Sequence, residues 1–263
     1  MTSILAPFLS PEGFAPPRHR DLARELHLAL EVPSAVVHQV RRGRADLDGD
    51  GTPVVLVPGF LAGDWSLRLL ATELRGHGYR THRAGIRSNV RCTNDAAHVL
   101  EQRVEEIVER DGQKVRIVGH SLGGMLGRAV AVRRPDLVAG VVTIGSPLMS
   151  VGAAHPVLLG AASLLVQLSR AGLPGLLSED CVAGECARHT WDELHQPLAE
   201  GVHFACLWSR WDGLVDPRAC VHPEGRAIEV SASHCGMAIS PSVHERVLAE
   251  LLRQRRETGR RAA

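Results

Sequence analysis

The run Lys114-Val115-Arg116-Ile117-Val118-Gly119-His120-Ser121-Leu122-Gly123-Gly124-Met125-Leu126-Gly127-Arg128-Ala129-Val130 changes its hydrophobic period at one serine. Lys114 to Gly119 is a short β-prone run, whereas Leu122, Met125, Leu126, Ala129 and Val130 recur at helical spacing. Strand, sharp turn and helix therefore meet at Ser121. A serine on such a turn is forced into a strained backbone conformation, and the residues two places either side must be nearly free of side chain so that strand and helix can approach. Gly119 and Gly123 meet that demand.

Outward from this turn the same alternation continues. Strand-like runs are Val54 to Pro58, Tyr79 to Ala84, Lys114 to Gly119, Val138 to Gly145, His203 to Ser209 and Ala227 to Ser231. Helix-period segments lie between them: Leu67, Leu70, Ala71 and Leu74 closed by Gly76 and Gly78, and Leu100, Val104, Ile107 and Val108 stopped by Asp111-Gly112. Ser240-Pro241 opens a last helix carrying Val243, Val247, Leu248 and Leu251. This order predicts an α/β fold of about six mostly parallel strands with helices on both faces. The core is expected over residues 53–146 and 202–263. Residues 147–201, too long and too apolar for a simple crossover, read as an inserted helical cap. Residues 1–52, with an amphipathic stretch at Leu22 to Leu30 and a polar turn at Asp46 to Gly51, read as an N-terminal helical segment packed on the core, and no chemistry is assigned to them.

The chain has 263 residues, enough for one catalytic domain with a single large core, and no linker divides it. A formal net charge of +1 offers no electrostatic reason to expect nucleic acid or acidic lipid as a partner. No stretch reaches the roughly 20 apolar residues that span a bilayer, so no integral membrane segment is expected. Met1 to Pro11 lacks the features of a secretory signal, which favours the cytoplasm, while the six cysteines leave export open.

A serine hydroxyl needs a histidine to take its proton and a carboxylate to orient that histidine. On a strand-turn-helix scaffold of this kind the chain order is serine, acid, histidine. His234, in Ser231-Ala232-Ser233-His234-Cys235-Gly236 just beyond the last strand, is favoured over His222, which precedes that strand, and His244, inside the final helix. Asp212 follows the fifth strand and is favoured over Asp216, a turn residue ahead of Pro217. Two backbone N–H groups should hold the developing oxyanion, one from Leu122 and one from Phe60 in the loop Pro58-Gly59-Phe60-Leu61-Ala62-Gly63-Asp64-Trp65. His120 adjoins the nucleophile but should point away from it, as a structural residue.

Val54-Val55-Leu56-Val57-Pro58-Gly59-Phe60, Gly119-His120-Ser121-Leu122-Gly123-Gly124, Thr143-Ile144-Gly145-Ser146-Pro147, Ser209 to Val215 and Ser233-His234-Cys235-Gly236 together resemble bacterial lipases and esterases of the α/β-hydrolase superfamily. The likeness covers about residues 53 to 256. It implies Ser121 as nucleophile, Asp212 as acid, His234 as base, and Phe60 and Leu122 as oxyanion donors. The chain departs from many lipases in opening its oxyanion loop with Pro58-Gly59 rather than His-Gly. The expected activity is hydrolysis of an apolar acyl ester, a small-molecule substrate, through an acyl-enzyme, with no cofactor. An acyltransferase or thioesterase would use the same residues, and a non-catalytic binding protein could retain the fold.

Four further expectations arise outside this constellation. Pro156 to Leu168 is apolar nearly all round, so it either walls a substrate cleft or is buried between cap and core. Thr190-Trp191-Asp192-Glu193 fits a capping box opening a short helix. Cys181, Cys186 and His189 form too small a local group to predict metal; a Cys181–Cys186 disulfide is favoured, and a disulfide from Cys235 would tether the loop of His234. Trp65, Trp208 and Trp211 read as packing residues.

Overall fold

The computed structural model describes residues 5–41 and 49–262. Of the polar turn expected at Asp46 to Gly51, residues 46–48 lie outside the described residues, while 49–51 form a turn with Asp50 and Gly51 at positive φ. Six strands form one sheet: β1 Pro53–Val57, β2 Arg80–Arg83, β3 Val115–His120, β4 Val138–Ile144, β5 His203–Trp208 and β6 Arg226–Glu229. Their spatial order is β2-β1-β3-β4-β5-β6, and every pairing is parallel. The strands begin and end within two residues of the apolar runs in the sequence.

The helices are α1 Leu28–Arg41, α2 Arg68–Gly76, α3 Thr93–Asp111, α4 Leu122–Arg133, α5 Pro156–Arg170, α6 Asp180–Ala183, α7 Glu185–His195 and α8 Pro241–Ala262. Alternate residues of the central strands feed two cores. Val55, Val57, Ile117 and Val141 pack with α3, α4 and Leu194 of α7 on one face. Val54, Leu56, Val118 and Val142 pack with α2 and α8 on the other. Strands buried on both sides account for the continuous apolar runs. Gly112 ends α3 in the left-handed conformation at φ +69, with its amide bonded to the Val108 carbonyl at 2.9 Å.

Between β4 and β5 the chain does two different things. α7 lies against α3 and α4 in the core layer, anchored by Arg133, whose Nε donates to Glu193 at 2.5 Å. α5 and α6 join Leu5 and Leu9 of the N-terminal segment in a third apolar cluster. The helix expected to open at Thr190 in fact begins at Glu185 with Gly184 as its N-cap. Thr190 is then a mid-helix residue, because Ala187, a turn upstream, packs into the third apolar cluster and carries the helix toward its N-terminus.

Candidate active site

Ser121 has φ 52 and ψ −123, a conformation that costs a residue bearing a side chain about 1–3 kcal/mol. Surrounding structure holds it there: the Ser121 amide donates to the Ile144 carbonyl at the end of β4 at 2.8 Å. A Cβ on Gly119 would run into the Gly123 carbonyl, one on Gly123 into the Val57 carbonyl, and one on Gly124 into the Ser146 hydroxyl. The glycines therefore let α4 start directly over the ends of β1, β3 and β4. Gly145, at φ +59, is also confined, since its Cβ would stand 2.7 Å from Met237 Cε and 3.3 Å from His234 Nδ1.

His234 Nδ1 donates to Asp212 Oδ2 at 2.7 Å, and both residues are buried. The other Asp212 oxygen accepts the amides of Leu214 at 2.9 Å and Val215 at 2.7 Å, which fixes the carboxylate in its turn. Burial presses the His234 pKa down, but the charge and hydrogen bond of Asp212, helped by the charge of Glu25, outweigh it, and the net shift is upward from the ordinary 6.5.

The less favoured alternatives are engaged elsewhere. Asp216 accepts from Arg218 Nη2 at 2.7 Å and from the Ala15 amide at 3.1 Å. His222 accepts from buried Arg128 at 3.4 Å, and burial next to that cation lowers its pKa to about 4. His244 Nε2 donates to the Ala238 carbonyl at 3.1 Å at the start of α8.

Gly59 lets the β1 loop approach the serine: a Cβ there would stand 3.1 Å from Ser121 Cβ. Among the described residues neither the Phe60 amide nor the Leu122 amide has an acceptor. The loop is shaped by a residue that the sequence does not single out. Asn89, 1% exposed, donates from Nδ2 to the Pro58 carbonyl at 2.9 Å, accepts the Leu61 amide on its own carbonyl at 3.0 Å, and donates its amide to Ala62 at 2.8 Å. Leu61 is held between these bonds at φ +62.

The larger addition comes from the N-terminal segment. Glu25 Oε1 accepts the amides of Gly213 at 3.0 Å and His234 at 2.9 Å, and its Oε2 accepts that of Cys235 at 3.0 Å. Glu31 accepts the Ser233 amide at 2.9 Å and the Ser233 hydroxyl at 2.7 Å. One carboxylate thus bridges the turn of Asp212 and the loop of His234, and a second grips the residue before His234. Cys235 needs no disulfide to tether this loop; all six cysteines are free thiols, and the Cys181–Cys186 disulfide is likewise not formed. The amphipathic spacing of Leu22 to Leu30 implied a helix docked by its leucines, yet Leu26 and Leu30 are exposed and the contact is made by Glu25 and Glu31, because the loop of His234 offers backbone amides that carboxylates accept and leucines cannot.

His120 is buried against His234, with ring centroids 4.9 Å apart, and donates from Nε2 to the His234 carbonyl at 3.0 Å. Burial and the adjacent His234 lower its pKa to about 3, so the ring stays neutral and keeps that bond.

Ser121, Phe60 and Leu122 border an almost wholly apolar cavity of about 120 Å³. Leu158 and Leu159 of α5 and Leu5 and Leu9 of the N-terminal segment form part of its wall. None of Trp65, Trp208 and Trp211 lines it; Trp211 stacks on His27 at 5.7 Å.

Several known proteins are similar to this chain. Triacylglycerol lipases of Pseudarthrobacter phenanthrenivorans and Burkholderia plantarii are each 31% identical over 104 residues, covering 36% of this chain and 33% and 29% of theirs. The chain thus spans about a third of the length of these curated relatives. Among solved structures, a Bacillus licheniformis lipase in mature form superposes with a TM-score of 0.59 at 16% identity, over 77% of this chain and 92% of that one. A Paleococcus ferrophilus monoacylglycerol lipase gives 0.53 at 18% identity, over 78% and 96%. At such identities the likeness is one of fold. No helix among the described residues is long and apolar enough to cross a membrane. The model of the alpha/beta hydrolase family matches residues 54–257, and the chain belongs to that family.

Proposed function

We propose that the protein is a serine carboxylic-ester hydrolase, an esterase or lipase, acting on an ester with an apolar acyl chain. The observation that carries this reading is the buried Asp212–His234 pair at 2.7 Å, packed against the residue before a strained Ser121 that opens on an apolar cavity. With Nδ1–H committed to Asp212, His234 keeps Nε2 for the proton of Ser121. Ser121 attacks the carbonyl, and the Phe60 and Leu122 amides receive the oxyanion, at about 3 kcal/mol for each donor. His234 returns the proton to the leaving alcohol, and water then releases the acid from the acyl-enzyme. A fluorophosphonate probe should label one site per chain, at Ser121 by peptide mapping. Absence of labelling would point to a non-catalytic protein of the same fold.

α5 and α6 act as a cap whose inner face takes the acyl chain. Leu158→Gln is expected to lower kcat/KM on an octanoate ester about tenfold more than on an acetate ester, since it removes apolar contact from the chain alone. Equal losses on both esters would remove α5 from substrate binding.

Glu25 is a positioning residue. Its bridge between Gly213 and His234 holds acid and base in register, so Glu25→Gln should lower kcat about 10- to 100-fold. Its charge also raises the His234 pKa. Activity requires the neutral imidazole and therefore appears as pH rises through that pKa. Removing the charge should move the acid limb of kcat/KM to lower pH. A residue that merely supports the fold would lower kcat without moving that limb.

A further inference from the structure

Cys92, Cys181 and Cys186 stand far apart in sequence but meet in the fold. Cys92 lies at the entrance to α3, Cys181 in α6 and Cys186 in α7, all half-buried. Their sulfurs lie within 4.8 Å of one another, with Cys92 Sγ 3.0 Å from Cys186 Sγ. The local group read from sequence had His189 as its third member. That ring instead pairs with Glu193 at 3.3 Å on the surface, and Cys92 takes its place from the core side.

We propose that these three thiols form a binding site for one thiophilic d10 cation, with Zn²⁺ as the reference ion, which joins α6 and α7 to the start of α3. The proposal is independent of the ester-hydrolase reading.

Three observations support it. The Cys92 and Cys186 sulfurs, 3.0 Å apart as a thiol–thiol hydrogen bond, are close enough to share one cation once deprotonated. A disulfide would occupy two of the thiols and leave the third in the cluster without a role, whereas a soft cation uses all three. At a zinc–sulfur distance of about 2.3 Å in a tetrahedron, sulfurs stand about 3.8 Å apart. The closest pair reaches this by opening less than about 1 Å, within the freedom of a χ1 rotation.

The surroundings suit thiolates. Cys92 is the N-cap of α3, where the helix dipole favours negative charge. The Ser178 hydroxyl lies 3.2 Å from Cys181 Sγ, placed to donate to a thiolate and orient it. Among the described residues no fourth histidine, cysteine or carboxylate joins the group, so the fourth position falls to water. Each bound thiol releases its proton to solvent, and no electrons move. Because Cys181 also lines the cavity beside Ser121, the cation would hold one wall of that cavity in place.

The test uses the full chain, reduced with a phosphine and freed of metal by a chelator. Titration with Cd²⁺ should develop a sulfur-to-cadmium charge-transfer band saturating at one ion per chain, and Zn²⁺ should displace it. Zn²⁺ at a thousandfold excess over Kd should raise Tm by about 8 °C or more. Cys181→Ser retains the close Cys92–Cys186 pair, yet should weaken Zn²⁺ binding at least about 100-fold; Cys235→Ser, which alters an exposed thiol outside the cluster, should bind as the parent does. No metal uptake by the reduced chain would overturn the proposal. So would Cys181→Ser that binds Zn²⁺ unchanged, or a Cys92–Cys186 disulfide in non-reducing peptide maps from a chain that takes up no metal once reduced.

Discussion

Ser121→Ala is expected to lower kcat for ester hydrolysis by about 10⁶-fold and to abolish fluorophosphonate labelling, while the protein stays folded. Losing the nucleophile of an interdependent triad costs about as much as losing the whole set. What remains, about 10³- to 10⁴-fold over the uncatalysed reaction, would come from the proposed oxyanion donors, the amides of Phe60 and Leu122, and from binding in the apolar cavity. The substitution should not damage the fold, because the Ser121 hydrogen bonds given by the structure are those of its backbone, the amide on Ile144 and the carbonyl accepting from Gly124. Single-turnover kinetics on a p-nitrophenyl ester checks it. Activity within about tenfold of the parent would move the nucleophile to another residue.

Asp212→Asn should lower kcat about 10⁴-fold. Asparagine fits the same space, but it can present its NH₂ to His234 Nδ1 and so select the wrong imidazole tautomer. The opposite oxygen still has to accept from Leu214 and Val215, which favours that unproductive orientation. Asp216→Asn, four residues on, should retain activity and lose at most about 1 kcal/mol of stability, since asparagine still caps the Arg218 amide but gives up the charge paired with the exposed Arg218 guanidinium. If the two variants exchanged these outcomes, the acid would be Asp216.

The pair illustrates what local sequence could resolve. Asp212 and Asp216 share one turn, and only their distance from the strand end separated them beforehand. The structure separates them by partner: a buried imidazole for one, a surface arginine and a backbone amide for the other. The meeting of His234 with Asp212 was legible for a similar reason, since a residue just past the last strand of a parallel sheet lies at its carboxyl edge. Asn89 and Glu25 were not legible, because each acts through backbone groups distant in the chain and carries no periodicity of its own. Cys92 escaped the local cysteine grouping for the same reason, its partners lying in α6 and α7.

Local sequence determined the strands, the turn at Ser121 and the faces of α2, α3 and α8, because hydrophobic period and glycine placement act over a few residues and the central strands β1, β3, β4 and β5 are buried on both sides. Tertiary structure alone decided that the N-terminal segment would brace the His234 loop with Glu25 and Glu31, that α7 would join the core while α5 and α6 stand over the cavity, and that three thiols would meet. Those outcomes depend on which amides and sulfurs are left facing one another once the sheet has formed. Contacts spanning about 200 residues leave no pattern in any window short enough to read.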